Sequence, residues 1–370
     1  MIYINYVSNN IKGLKMSETI KVGIIGTGFG QKVQIPGFLN VDEYELVAVA
    51  GQNYAKTIQV SEKFGIPKAY KSWSELINDP TIDLVSIVTP VYYHYEMVME
   101  TIATGKDVLC EKPMAIDEQQ AYEMWDFLEK EDRVGMINHE FRQLPEWRFF
   151  RDFVAEGNLG EEFEVNIVYS TYTRLPFTGR LWNWWSSSLM GGGIWGALGS
   201  HFIDFIRWVF GEFQGITGRL VTKVHSRPDP ITHQPRPVTS DDTFHAVFQL
   251  TSGVEGTING SVVRHGKGGT IIEAYGSEAS IKIDWDRTVW TAKKDQPWQK
   301  IKIPDKYALR PIKEGENYLQ PAFEVLISQL REGIKKRISP SPSFEDGYEV
   351  QKVLDALRYS HETGQWVVIN

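Results

Sequence analysis

The sequence predicts an α/β chain in two parts. An N-terminal parallel sheet is wound with helices on both faces, and a C-terminal α+β domain follows on an antiparallel or mixed sheet. Three observations carry this. The chain has 370 residues, and at about 150 residues per domain that length suits two domains. Up to residue 140, short apolar runs alternate with helix-like segments, the mark of strands buried on both faces. After Pro145 the rhythm becomes alternation of period two, broken by turn signals.

The elements follow in order. Residues 20–25 form an apolar run that ends in glycines. Residues 46–50 form a second, followed by a helix-like segment to Phe64. Residues 83–88 are a third strand, closed by Thr89-Pro90. A helix over 92–104 and a strand over 107–110 come next. Asp117 caps a helix to about Lys130, and 134–138 is the next strand. A helix over 146–156 then ends at Gly157. Period-two strands are expected at 163–169, 244–250, 254–262, 270–274 and 279–284. One apolar helix pattern spans 193–210, and residues 233–237 read as a Pro-rich loop. A final helix over 344–361 precedes a last strand at 366–369. The expected division is a polar extension over 1–18, a nucleotide-type domain over 19–140 and an α+β domain over 141–370. Met16 competes with Met1 as the natural start.

Composition narrows the function. Hydrophobic residues make up 42% and charged residues 23%, which excludes a mainly disordered chain. Net charge is −8, and Lys and Arg are scattered. Without a basic stripe, no nucleic-acid partner is expected. Cys110 is the single cysteine, so no intrachain disulfide can form, and a reducing, cytoplasmic setting is expected. No apolar run reaches the roughly 18 residues that cross a membrane, so no membrane association is expected. The counts of 12 Trp and 32 Gly point to places where flat ligands or backbones come close, or else to core filling and turns.

Four motifs could carry chemistry. Gly26-Thr27-Gly28-Phe29-Gly30 sits where a strand turns into a helix, and glycines there let backbone N–H groups approach a pyrophosphate. A third glycine is expected at 31, where this chain has Gln31; a plain glycine-rich turn is the alternative. About 20 residues on, a carboxylate would bind the ribose hydroxyls of NAD. Here the residues are Gln52 and Asn53, with Lys56 beyond. The absent acid favours NADP over NAD, unless Gln52 and Asn53 only cap the next helix. Thr89-Pro90 and His94 lie at the ligand-binding edge of a parallel sheet, although His94 reads equally as an ordinary helix N-terminal residue. Glu111-Lys112-Pro113 puts a lysine at the same edge, where it can polarise a substrate oxygen, and Glu111 and Lys112 are also expected to contact the cofactor. A solvated Glu-Lys pair is the alternative.

The combination resembles the Gfo/Idh/MocA oxidoreductases. The residues that carry it are Gly26-x-Gly28, Thr89-Pro90 with His94, the run from Gly105 to Glu111-Lys112-Pro113, and Gly191-Gly192-Gly193 with His201 and Asp204. It extends from about Val22 to the end of the chain. The resemblance implies a doubly wound Rossmann domain and an α+β domain with a large, mostly antiparallel open sheet. It implies homo-oligomers, dimers or tetramers, built through that sheet. The implied reaction is reversible hydride transfer between NAD(P) and a sugar, polyol or related alcohol or ketone. The family's catalytic lysine maps onto Lys112, and its histidine, a general acid/base, maps onto His201. An Arg near the domain junction maps onto Arg142, close to substrate or hinge, with a structural salt bridge as the alternative.

The chain departs from the pattern at one point. Many family members carry an acid four residues before the histidine, on the same helix face. This chain has Ala197. Candidate substitutes are Tyr172, Asp204 and Arg180, and Asp204 is placed to orient His201 or to pair with Arg207. Trp182, Trp184, Trp185 and Trp195 flank the second glycine run. Trp184 and Trp185 are candidates to stack on a sugar ring, with core filling or a subunit contact as the alternative. The missing acid keeps two further readings open: a non-catalytic nucleotide sensor, and cofactor-assisted glycoside cleavage. Metal binding has no support in the spacing.

Overall fold

A computed structural model describes residues 19–266 and 268–369. The extension over 1–18, and with it the choice between Met1 and Met16, lies outside the described residues. The N-terminal half is a six-stranded parallel sheet. Its strands are β1 (Ile20–Ile25), β2 (Tyr44–Ala50), β3 (Lys68–Tyr70), β4 (Leu84–Ile87), β5 (Asp107–Cys110) and β6 (Gly135–Ile137), in the order β3-β2-β1-β4-β5-β6. All of β4 and β5 is buried, as expected for strands covered on both faces. Five helices serve this half: α1 (Gln34–Leu39), α2 (Tyr54–Phe64), α3 (Trp73–Ile77), α4 (His94–Ala103) and α5 (Glu118–Lys130). Asp117 caps α5 by accepting from the backbone N–H of Gln120 at 2.9 Å.

The second half begins with α6 (Pro145–Ala155) and is built on a nine-stranded sheet. In chain order its strands are β7 (Glu162–Ser170), β8 (Phe213–Val221), β11 (Thr243–Leu250), β12 (Glu255–Ser261), β13 (Gly269–Gly276), β14 (Ala279–Ile283), β15 (Val289–Lys293), β16 (Gln299–Ile301) and β17 (Val367–Val368). The order is β16-β15-β14-β13-β7-β12-β11-β8-β17, and every pairing is antiparallel except β7 with β12. Alternate residues such as Val165 and Ile167, Phe244, Ala246 and Phe248 are buried on one face, where Tyr169 meets Phe202 of α7 (Ser200–Phe210) and Phe244 meets Trp195. The stretch expected as a Pro-rich loop is instead strand β10 (Pro235–Pro237), paired with β9 (Ser226–Pro228) in a separate ribbon.

Two C-terminal helices, α8 (Gln320–Lys336) and α9 (Phe344–Thr363), return to the first half. The Phe323 ring fills the space beside Gly37 of α1, leaving no room there for a side chain. Tyr44 donates its hydroxyl to the carbonyl of Ile327 at 2.7 Å, and Phe344 packs against Gly135. One continuous apolar core therefore runs through both halves. No helix among the described residues is long and apolar enough to cross a membrane.

Candidate active site

The glycine turn after β1 lies against the end of β4. At Gly26 φ is +129°, and a Cβ would lie 2.2 Å from the carbonyl oxygen of Val88, so only glycine fits. Gln31, in place of a third glycine, closes the turn by donating to the carbonyl of Thr27 at 2.8 Å. Thr27 is buried and Phe29 is 37% exposed. Gly28 faces open space, with nothing within 4 Å of where its Cβ would be. The turn is thus a cradle open on the side a dinucleotide would approach, and Gly26 to Gly30 fit such a group. At the end of β2, Gln52 and Asn53 are exposed, and Asn53 caps α2 by accepting from the N–H of Lys56 at 3.1 Å. The N-terminus of α2 carries no acid. Lys71, which sequence reasoning missed, stands over the ring of Tyr54, the first residue of α2.

The ring of His94 is engaged by the backbone. It is buried, its Nε2 meets the carbonyl of Thr89 at 3.0 Å, and its Nδ1 meets the carbonyl of Pro113 at 3.1 Å. The expected cofactor contact through this ring is corrected to a brace between two loops. Burial holds the ring below its ordinary pKa. The brace keeps Thr89-Pro90 in register with the loop that carries Lys112.

After β5 the Lys112–Pro113 peptide is cis. Glu111 is buried and accepts from Gln34 at 2.8 Å and from Asn138 at 2.7 Å through Oε1. Burial raises its pKa, against the pull of Lys112. Glu111 is therefore fixed to the floor of the sheet edge rather than solvated. Half-buried Lys112 donates through Nζ to the backbone oxygen of Ala197 at 2.9 Å.

Ala197 belongs to a feature the helix pattern did not reveal. The expected 193–210 helix is split into a π-helical turn, Trp195–Gly199, and α7. Such turns recur at functional sites. Half-buried Asp241 accepts from the Trp195 N–H at 2.8 Å and so caps the turn. Burial pushes its pKa up to about 6.

His201 opens α7, one turn beyond Ala197. Its ring stacks on Phe141 at 3.9 Å with 7° between planes, and meets His139 edge-on at 5.3 Å. The two Nδ1 atoms are 3.5 Å apart. Burial, then the charge of Lys112, hold His201 well below the ordinary imidazole range. Burial likewise brings His139 down to about 4.

Arg142 is engaged within the protein. It is buried and grips Asp204 with Nε and Nη2 at 2.7 and 2.6 Å, while Nη1 donates to Ser341 at 2.6 Å. The expected substrate contact is corrected to a structural clamp, because its donors are already engaged. Asp204 pairs with Arg142 rather than Arg207, and the ring nitrogen nearest it is His139 Nδ1 at 3.9 Å. It does not orient His201.

The aromatic segment is divided. Trp195 is core, donating to Leu354 and packing on Phe244. Trp182 lies under Arg236, and Trp185 under Arg174 at 3.5 Å. Trp184 is half-buried in the same short turn as Trp185. Tyr172 is 49% exposed and stacks on Phe177.

Sequence reasoning missed Glu140 and Phe141. Both sit in one 3₁₀ turn, Glu140–Gln143, whose tight winding turns consecutive residues inward. Glu140 is buried, its Oε2 has no hydrogen-bond partner, and burial with Glu111 nearby raises its pKa to about 8. A carboxylate beside an aromatic and an arginine, just past a buried strand, was the available signal. Among the described residues no cluster could hold a metal ion.

Residues 20–139 match the oxidoreductase family with an NAD-binding Rossmann fold, and residues 151–369 match that family's C-terminal alpha/beta domain. The chain belongs to the Gfo/Idh/MocA oxidoreductase family. An uncharacterized oxidoreductase of Synechocystis sp. is 29% identical over 362 residues, spanning 95% of this chain and 97% of the relative. Levoglucosan dehydrogenase of Pseudarthrobacter phenanthrenivorans is 25% identical over 384 residues, spanning 95% and 98%. A levoglucosan dehydrogenase structure in complex with NADH and levoglucosan shares the fold, with TM-score 0.87 at 24% identity over 95% of this chain and 99% of that one.

Proposed function

We propose that this chain is an NAD(P)-dependent dehydrogenase or reductase of CH–OH groups, acting on a sugar, a polyol or the matching ketone. The observation that carries this is the meeting of Lys112 with the turn that leads into His201, each contributed by a different half of the chain. The levoglucosan dehydrogenase relative supports the sugar class. Residues 19–140 are the cofactor half and 141–370 the substrate half, in a cytoplasmic homo-oligomer formed through the nine-stranded sheet. Exposed Val247, on the face of that sheet opposite the core, supports the assembly.

Gly26 to Gly30, with Thr89 and Pro90, would hold the dinucleotide, and Gln52, Asn53, Lys56 and Lys71 would face its ribose end. When bound, the nicotinamide gives or takes the hydride. Lys112 has three N–H donors, and the Ala197 oxygen takes one. The others are free for the substrate oxygen, where the ammonium stabilises developing negative charge. His201 is neutral at pH 7 and so accepts the proton of a substrate hydroxyl during oxidation. Phe141 and His139 hold its ring in place. With no acid at 197, this pair carries the chemistry alone. The absence of a carboxylate after β2 and the presence of two lysines support NADP as the preferred cofactor, since a 2′-phosphate is repelled by an acid and attracted by ammonium groups.

The test is a fluorescence titration with NADH and NADPH, followed by turnover on a panel of sugars, polyols and keto-sugars. NADPH binding and turnover on at least one member are expected. Cofactor binding without turnover would favour a sensor, and free sugar released without net reduction would favour glycoside cleavage.

A further inference from the structure

The loop between β7 and the π-helical turn gathers arginines that form no ion pair. Arg174 and Arg180 lie on the loop, and Arg227 reaches in from β9 to donate to the carbonyl of Arg174 at 2.7 Å. Arg227 is only 5% exposed and Arg174 is half-buried. The Arg174 guanidinium lies 3.5 Å from the ring centre of Trp185, and Arg180 donates to the carbonyl of Thr173 at 2.7 Å. Among the described residues, none of the three has a carboxylate at ion-pair distance, although neighbouring Arg236 is paired with Asp229. The acid that faces Arg227 is Asp242, and its Oδ2 already accepts from the N–H groups of Lys223 and Val224 at 2.9 and 2.8 Å.

Buried like charges are costly without a partner. Burial, then Arg180 and Arg227, bring the pKa of Arg174 down to about 9. An anion would supply the missing partner, and a guanidinium matches carboxylate and phosphate oxygens two at a time. The loop lies beside elements of the candidate site. Tyr169, near the end of β7, contacts Phe202, the residue after His201, at 6.1 Å. On the other side, the carbonyl of Trp185 presses on Gly192, and Gly191 abuts Val91 beyond Thr89-Pro90. The arginine loop thus adjoins the cofactor half through Gly192 and Gly191.

We propose that Arg174, Arg180 and Arg227 form an anion subsite, and that the substrate is a sugar or polyol bearing a carboxylate or phosphate group. This rests on the dehydrogenase reading above, but anion binding is measured without turnover. Calorimetric titration of the full chain with D-gluconate, D-glucose 6-phosphate, D-glucose and inorganic phosphate tests it. At least one anionic sugar is expected to bind about tenfold or more tightly than glucose, and the preferred one separates carboxylate from phosphate. Arg174→Gln and, separately, the exposed Arg180→Gln should each erase most of that margin, and Arg174→Lys should restore part of it. NADPH binding should stay unchanged in all three. Equal affinity for charged and neutral sugars, retention of the margin in both glutamine variants, or binding of inorganic phosphate alone overturns the proposal. Failure of the parent chain to bind either nicotinamide overturns the dehydrogenase reading instead, whatever the anion titration gives.

Discussion

The Nζ of Lys112 lies 2.9 Å from the carbonyl oxygen of Ala197. The residue that stands where an acid was expected thus meets the lysine through its backbone. The π-helical turn presents that oxygen, so position 197 can orient Lys112 without a side chain that transfers protons.

If Lys112 polarises the substrate oxygen, Lys112→Met should lower kcat by roughly 10²- to 10⁴-fold. NADPH affinity should move little, because Lys112 bonds to a turn in the substrate half rather than to the glycine cradle. Steady-state rates together with nicotinamide fluorescence check both halves of this statement. A variant as fast as the parent would remove Lys112 from the mechanism.

Gly28 and Gly26 should separate binding from folding. At Gly28 a methyl group has open space within the protein, so Gly28→Ala should melt with the parent yet bind nicotinamide more weakly, its Cβ standing where the dinucleotide would lie. At Gly26 the same change meets the Val88 oxygen in a left-handed conformation, so Gly26→Ala should lower Tm itself. Thermal melts and cofactor titrations on the two variants make the comparison.

The Arg142–Asp204 clamp is buried on both sides. Asp204→Ala leaves the buried guanidinium with only the Asp346 carboxylate, 3.5 Å away, and should cost about 3 kcal/mol, the low end for a broken buried pair. Urea unfolding measures this. A loss of activity in proportion to unfolded protein alone would mark Arg142 as structural, as its engaged donors indicate.

Glu140 should leave a signature in stability against pH. Its folded pKa of about 8 is above the ordinary 4.5, so the native state keeps a proton that the unfolded chain releases, and stability falls as pH rises through that window. His139 works oppositely. Its folded pKa of about 4 is below 6.5, so its stability contribution is lost as pH falls below about 6.5. Above pH 6.5 the histidine is silent and the raised carboxyls set the slope. The parent should therefore lose stability between pH 6.5 and 8, and Glu140→Gln should lose less. Glu111, Lys112 and Tyr318 face Glu140, and Glu111, also raised by burial, should leave a residual slope. Identical slopes for parent and variant would remove Glu140 as the cause.

The fold was legible wherever periodicity was strong. The apolar runs at β1, β4 and β5, the alternation at β11 and β12, and the Asp117 cap all read directly from residue type. The missed elements lacked such a signal. β3 is three residues long and half-buried, too short to show a period. β10 is formed around Pro235 and Pro237, which cannot donate to a ladder and so read as a loop. At the site, Lys112 and His201 were visible as motif residues. The engagement of His94 and Arg142 was not, because what occupies a side chain's donors depends on carbonyls and carboxylates distant in sequence. Glu140 was hidden for the same reason: its chemistry comes from burial beside Glu111, which spacing does not record.

The contact of Phe323 with Gly37 gives the chain a lock and key of its own. A chimera that takes residues 19–140 from one relative and the remainder from another would succeed only if that bulky ring still met a residue without a side chain. Exchange of halves is therefore constrained at the helix pair far from the chemistry. A Gly37→Ala change, which touches no candidate catalytic group, would act on the whole molecule by prising its two halves apart.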